Sequence, residues 1–266
     1  MRYEGTPQRD LFRELRLRFL SRHTAGRTGW SLDVGSGPLR FTRSIGGASV
    51  RHVALDLSQE MLRRGRVEIR PEDAASTDVV RGDGLRPPFP TGAFQCVALL
   101  GNSLGFAGSR GQDLLAAVLD LVAPSGTAVL EIAPGPGERS RYLSRLPPGS
   151  VGRLLRSPVP LIEARVRGEG FTVEPARRAD PGDFARWDAS ALTARLRGRG
   201  FGVRDTLAVA PALGPDADRT AKVRADPKAW SHLLELEERL GRDPDRWPRA
   251  AAVLVAATLP AGGMIM

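Results

Sequence analysis

The chain has 266 residues, 41% hydrophobic and 26% charged, so it can bury a core and is too mixed for a disordered or fibrous chain. A formal net charge of +9 ordinarily points to nucleic acid or an acidic surface. Here all but two of the 39 cations are arginine, spread through a chain with 30 Gly and 21 Pro, a pattern that base composition alone would produce. One cysteine, Cys96, excludes an internal disulfide framework, and with three scattered histidines nothing argues for a metal site.

Taken in order, Leu11, Phe12, Leu15, Leu17, Phe19 and Leu20 alternate with arginines and predict an amphipathic helix over residues 8–23. Its arginines read as a solvated face, and its place just before the first strand would let it cover a ligand cleft. Charge interrupts residues 1–20 every few positions, so this is neither a signal peptide nor a membrane span, and a cytoplasmic protein is expected.

Short apolar runs then alternate with helix-like stretches. The predicted strands are Ser31–Val34, His52–Leu57, Asp78–Arg81, Phe94–Leu100 and Gly126–Ile132, with helices at Leu39–Ile45, Gln59–Arg66 and Gln112–Val122. Such repetition implies an α/β fold, a doubly wound, mostly parallel sheet with helices on both faces, and such sheets bind ligands at the carboxyl ends of their strands. A Pro/Gly-rich connection follows Ala133, then two strand-like runs, Leu161–Val166 and Gly170–Pro175, joined by a Gly-Glu-Gly turn and read as a hairpin. Helices at Ala189–Arg197 and Trp230–Leu240 and strands at Phe201–Ala210 and Ala251–Leu259 complete the chain. The expected organisation is a single domain over 1–266: a helical cap (1–29), a cofactor-binding core (30–133), an insertion or lid (134–188) and the C-terminal part of the sheet (189–266).

The chemistry gathers at the strand ends. LDVGSGPLR places Asp33 at the end of the first strand, before Gly35, Ser36 and Gly37. The glycines let backbone approach a ligand closely, and the turn alone fits a dinucleotide, a methyl donor or no ligand at all. A dinucleotide fingerprint needs a third glycine at position 40, where Arg40 stands, so that reading loses weight. Asp33 suits an amine-bearing or cationic ligand. Asp56 ends the second strand, where an ionised carboxylate can take both hydroxyls of a ribose or else cap the next helix, a task Ser58 serves equally well. Asp83 and Gly84 follow the third strand and read either as an adenine contact or as an Asx-type turn. Asn102 and Ser103 end the fourth strand, polar groups at the mouth of an apolar run.

Together these strand ends resemble the class I S-adenosylmethionine-dependent methyltransferases, within them the small-molecule group of the ubiquinone-biosynthesis and glycine N-methyltransferase type. The resemblance covers residues 30–133, and more loosely the remainder through LVAPSGTAVLEIA and RLRGRGF. It implies a seven-stranded Rossmann-like methyltransferase sheet with an N-terminal helix and a hairpin-containing insertion after the fifth core strand, and S-adenosyl-L-methionine as cofactor. By resemblance, Asp33, Gly35, Ser36 and Gly37 cradle the methionine part and Asp56 holds the ribose hydroxyls. Leu57 packs on the adenine, Asp83 and Gly84 meet its amino edge, and Asn102 and Ser103 line the methionine side.

Two positions depart from the family pattern. Leu39 replaces the usual third glycine and would narrow the methionine end, and Gln95 stands where an acidic residue is often found. The expected reaction is in-line methyl transfer to a small-molecule acceptor, with the lid selecting it. Tyr3, Tyr142, Glu131 and His23 are the candidates for a base, and none is assigned as catalytic. The alternatives are an RNA methyltransferase, disfavoured because GNSLGF stands where base amino methyltransferases carry an Asn-Pro-Pro-Tyr-type sequence, or a non-catalytic protein that binds S-adenosylmethionine.

Overall fold

The computed structural model describes residues 7–46, 50–134, 186–209, 222–250 and 252–262. Helix α1 (Pro7–Thr24) runs one residue beyond expectation at each end. Its Leu11, Leu15 and Phe19 recur every fourth residue on one face and are wholly buried, each contributing about 1.5–3 kcal/mol of transfer free energy. The arginine face differs from expectation. Arg16 pairs with Glu131, and Arg22 with Glu238 at 2.6 Å, so these cations serve internal partners rather than water alone.

Seven strands form one sheet in the order β3-β2-β1-β4-β5-β7-β6: β1 (Gly29–Val34), β2 (Val50–Asp56), β3 (Thr77–Arg81), β4 (Phe94–Leu99), β5 (Val122–Ile132), β6 (Gly202–Val209) and β7 (Ala252–Thr258). The first five are parallel, and β7 runs antiparallel between β5 and β6. This is the Rossmann-like α/β methyltransferase fold that the sequence implied. The order reverses between β1 and β4, and a crevice opens at the carboxyl ends beside such a switch point.

Helices cover both faces, and α2 (Gln59–Glu68) and the short α3 (Pro71–Ala74) run between β2 and β3 in the chain. Helices α4 (Ser103–Phe106), α5 (Gly111–Leu119) and α6 (Ala189–Gly198) pack on one, and α1 with α7 (Pro227–Gly241) on the other. Helix α7 starts three residues before the predicted Trp230, because Pro227 presets the first turn and the Asp226 carboxylate accepts the Lys228 and Ala229 N–H groups. Strand β5 begins at Val122, four residues before the predicted Gly126, and takes in Pro124 and Ser125. Ser125 takes a left-handed φ of 63° and the β4–β5 register shifts, so the segment is a bulge within one long strand. Cys96 is fully buried, and burial lifts its thiol to about 11, an inert core group.

The predicted helix Leu39–Ile45 is not formed. A single 3₁₀ turn at Thr42–Ser44 takes its place, because Leu39 and Gly46 both adopt positive φ, 59° and 90°, and Thr42 turns inward to bond Asp33. Leu39, where the family pattern has a glycine, turns into the core. Its side chain is buried with Ala54 and Leu62 beneath α2 (Gln59–Glu68), where Gly65 makes room for it. A Cβ on Gly65 would lie 2.2 Å from Leu39 Cδ1 and 2.9 Å from the Pro38 carbonyl carbon. Gly65→Ala, worth about 1 kcal/mol of added stability in an ordinary helix, is here expected to cost about 1–3 kcal/mol by overpacking. A lowered Tm in a thermal melt checks it.

Between β3 and β4 the chain forms a loop over residues 82–93 and no helix. A groove of about 670 Å³, lined by Trp30, Val53, Val80, Phe89 and Phe94 among others, lies open there. It sits toward the amino ends of the strands, away from the carboxyl-end crevice. The predicted hairpin and nearly all of the 134–188 insertion lie outside the described residues. No helix among the described residues is long and apolar enough to cross a membrane, and these residues hold no cluster of metal-ligating side chains.

Candidate active site

Strand β1 carries Asp33 to the edge of the sheet, and the chain turns through Gly35 and Gly37 at φ 67° and 53°. The Gly35 and Ser36 N–H groups both donate to the Leu55 carbonyl, at 2.8 and 3.1 Å, folding the turn back over β2. A Cβ on Gly35 would stand 2.5 Å from Ser103 Oγ, so conformation and proximity both require glycine. Around Gly37 there is open space, with nothing within 4 Å of where its Cβ would be. Ser36 beside it is buried, and its hydroxyl has no hydrogen-bond partner, an orphan that buried polar groups rarely are without a ligand or water.

Asp56 faces this turn from the end of β2. Its Oδ2 accepts the Gly37 N–H at 2.8 Å and its Oδ1 the Ser58 N–H at 2.8 Å. Ser58 itself caps α2, accepting from Met61 N–H, so the helix does not need Asp56 as its cap. The aspartate ties two strand ends together while each oxygen keeps acceptor capacity. Leu57 next to it is 66% exposed, an apolar surface at the rim. From the third strand end, the Gly82 N–H donates to the Asp56 carbonyl at 3.1 Å. The exposed Asp83 accepts the Leu85 N–H at 2.9 Å, which is the Asx-type turn weighed above. Gly84 packs so closely on Val34 and Leu114 that its Cβ would meet both at 3.0 Å.

Asp33 is only 3% exposed and accepts the Thr42 hydroxyl at 2.7 Å. Burial pushes its carboxyl up to about 7; the Thr42 bond opposes this and the Asp56 charge adds to it. Thr42 has no motif to announce it, and only the fold brings it under Asp33. The fourth strand end is more structural than its polarity suggested. Asn102 Oδ1 accepts the Ala133 N–H at 2.9 Å, and Ser103 Oγ donates to the Leu100 carbonyl at 2.8 Å. Both side chains thus hold backbone at the mouth of the crevice, with Ser103 against the glycine turn. The structure brings all ten candidate residues, from Asp33 to Ser103, to the carboxyl ends of four adjacent strands. Gln95 sits at the opposite, amino end, with Cγ 3.5 Å from a Cβ placed on Gly29.

Two base candidates already have charged partners. Glu131 is 2% exposed and accepts a bidentate pair from Arg16, Nε at 2.8 Å and Nη2 at 2.6 Å. Burial works against the Arg16 charge, and Glu131 more than offsets it, raising the guanidinium pKa. His23 bonds Asp205 of β6 at 3.1 Å. Tyr3 and Tyr142 lie outside the described residues. Arg16 went unrecognised as a site neighbour. Its one signal in the sequence is Glu131, a lone charge inside an apolar strand.

A family model described as a methyltransferase domain matches residues 32–126, the segment that carries this constellation. No curated protein sequence matches the chain. Among solved structures, one from the Haloferax volcanii complex between the Trm112 methyltransferase activator and a proposed methyltransferase superposes with TM-score 0.55 at 17% identity. It covers 95% of this chain and 92% of that one. The [4+2]-cyclase SpnF gives 0.53 at 17%, covering 93% and 80%. Haemonchus contortus phosphoethanolamine N-methyltransferase 2, in complex with S-adenosyl-L-methionine, gives 0.54 at 14%, covering 93% and 52%. At these identities the likeness is one of fold. Residues 32–126 thus match a methyltransferase domain, set in a fold that the chain shares with solved methyltransferases.

Proposed function

We propose that the protein transfers the methyl group of S-adenosylmethionine in line to a small-molecule acceptor, with the ten strand-end residues as its donor site. The observation that carries this reading is Asp56, a carboxylate with acceptor capacity to spare that is fixed to the glycine turn and flanked by the exposed Leu57. The residues fit the donor chemically. Asp56 suits the paired ribose hydroxyls and Leu57 an adenine face. The orphaned Ser36 hydroxyl and the open space at Gly37 suit the polar methionine end, and Asp33 its ammonium group.

The bound donor supplies an electrophilic methyl on its sulfonium, so catalysis by this chain is mainly alignment and exclusion of water. Among the described residues none is placed as a base, and the acceptor's proton is expected to leave to solvent or to a residue beyond them. A small acceptor is favoured over RNA because arginines of α1 and at the end of α7 are spent on internal carboxylates, Arg16 on Glu131, Arg22 on Glu238 and the C-cap Arg242 on Asp205. These three cations are thereby engaged internally rather than offered to a phosphate backbone. The fold alone does not fix the chemistry, since SpnF on the same fold is a [4+2]-cyclase.

Calorimetric titration with S-adenosylmethionine and S-adenosylhomocysteine, with a nicotinamide dinucleotide as control, tests the reading. Saturable binding of both sulfur nucleosides is expected, weakened at least about tenfold by Asp56→Ala through loss of two charge-assisted hydrogen bonds. A folded wild-type protein that binds neither nucleoside would overturn it.

A further inference from the structure

We propose that Arg16 is a positioning residue for the donor: its forked pair with Glu131 fixes the left-handed turn Gly101–Asn102 and, through it, the place of Ser103 beneath the glycine turn. The inference rests on the reading that Asn102 and Ser103 border the methionine end of the donor.

The contacts form a continuous path. Arg16 of α1 meets Glu131 at the carboxyl end of β5, while Arg27, just past the helix, meets Thr127 nearer that strand's amino end, so the helix runs antiparallel to the parallel strands with its first turns toward their carboxyl ends. Both nitrogens on one edge of the guanidinium reach the two oxygens of Glu131, a planar fork that lysine cannot reproduce. Glu131 Oε2 also accepts the Gly101 N–H at 3.2 Å. Gly101 and Asn102 then take consecutive positive φ values, 64° and 61°. For Asn102 this conformation is uncommon and is held by its surroundings. The second clasp is Asn102 Oδ1 on the Ala133 N–H, so β4 and β5 are stitched by two side chains on either side of the turn. Ser103, the next residue, abuts Gly35 closely enough to forbid a Cβ there.

On its other side the Arg16 guanidinium lies 5.9 Å from the centre of the Phe41 ring, in the segment that follows the glycine turn. One side chain of the N-terminal helix therefore reaches both Glu131, which holds the Gly101–Asn102 turn, and the segment that follows the glycine turn. A buried ion pair is a weak source of net stability. Its value here is geometric, since a carboxylate held by two parallel hydrogen bonds presents its oxygen to Gly101 in one orientation.

The test is titration of Arg16→Lys and Glu131→Gln with S-adenosylmethionine and with 5′-methylthioadenosine, which keeps adenine, ribose and sulfur but lacks the amino-acid end. Thermal melts are run alongside. Lysine keeps the charge and loses the fork; glutamine keeps an acceptor for Gly101 and loses the charge. Both variants are expected to bind S-adenosylmethionine about tenfold more weakly while methylthioadenosine affinity stays within twofold. Two variants of opposite character guard against one failing to fold. A lowered Tm with both affinities unchanged would make the pair a structural brace only, and an equal loss for both ligands would show that it supports the site as a whole; either result overturns the inference. Wild-type protein that binds neither ligand would instead strike the donor-site reading on which it rests.

Discussion

At pH 8, Asp33→Asn is expected to raise the melting temperature by roughly 5–10 °C while weakening S-adenosylmethionine binding at least about tenfold. The carboxyl is buried at the end of β1 with one hydroxyl partner, Thr42, and its pKa stands at about 7 against an ordinary 3.8. A carboxyl whose folded pKa is raised binds its proton more tightly in the native state. Its contribution to stability is therefore fully present below about pH 4, declines as pH rises, and is gone above about pH 7. Each pH unit in that window is worth about 1.4 kcal/mol, so the ionised Asp33 costs on the order of 2–4 kcal/mol at pH 8. Asparagine accepts the same Thr42 hydroxyl without a charge. The gain comes at the expense of function, because on the proposed reading this carboxylate meets the donor's ammonium. A melt and a calorimetric titration on the same variant check both halves. A variant no more stable than wild type at pH 8 would show that Asp33 is solvated or already paired.

The same residue marks where sequence reasoning reached and where it stopped. Asp33, Asp56 and Asp83 were legible because each lies at the end of a strand-like segment and beside a glycine or serine turn, a local pattern that survives without coordinates. The parallel sheet was legible for the same reason, its strands being short buried runs at regular spacing. What local pattern cannot carry is the partner across the chain. Whether Asp56 caps α2 or crosses to Gly37 depends on a contact nineteen positions away, and Ser58 takes the cap. The predicted helix at Leu39–Ile45 had the right residue types, but Thr42 was drawn inward by Asp33 and Leu39 by the notch at Gly65, and tertiary contacts overrode propensity. Arg16 looked like one more cation on a solvated face. Only the fold sets it against Glu131, 115 residues away.

On the amino side of Asp33, the residue pair Ser31 and His52 sets an opposing limb of the pH profile. The two are direct partners across β1 and β2, and Ser31 Oγ lies 2.8 Å from His52 Nδ1. The imidazole is wholly buried, and its Nε2 has no hydrogen-bond partner. Burial first and then the nearby Arg43 charge depress its pKa from 6.5 to about 4, with Asp73 opposing. A histidine whose folded pKa is depressed stabilises fully above about pH 6.5, and that contribution is lost as pH falls through about 4, on the order of 3 kcal/mol in all. Between pH 6.5 and 4 the wild type thus gains stability from protonating Asp33 as it loses stability at His52, and the two slopes nearly cancel. The expected wild-type profile is flat across this range. Asp33→Asn unmasks the histidine and makes stability fall toward acid, and His52→Asn unmasks the aspartate and makes it rise. Urea unfolding midpoints for the three proteins at pH 4.5, 5.5 and 6.5 read this directly. Parallel profiles for all three would show that neither group is the buried titrating site its surroundings make it.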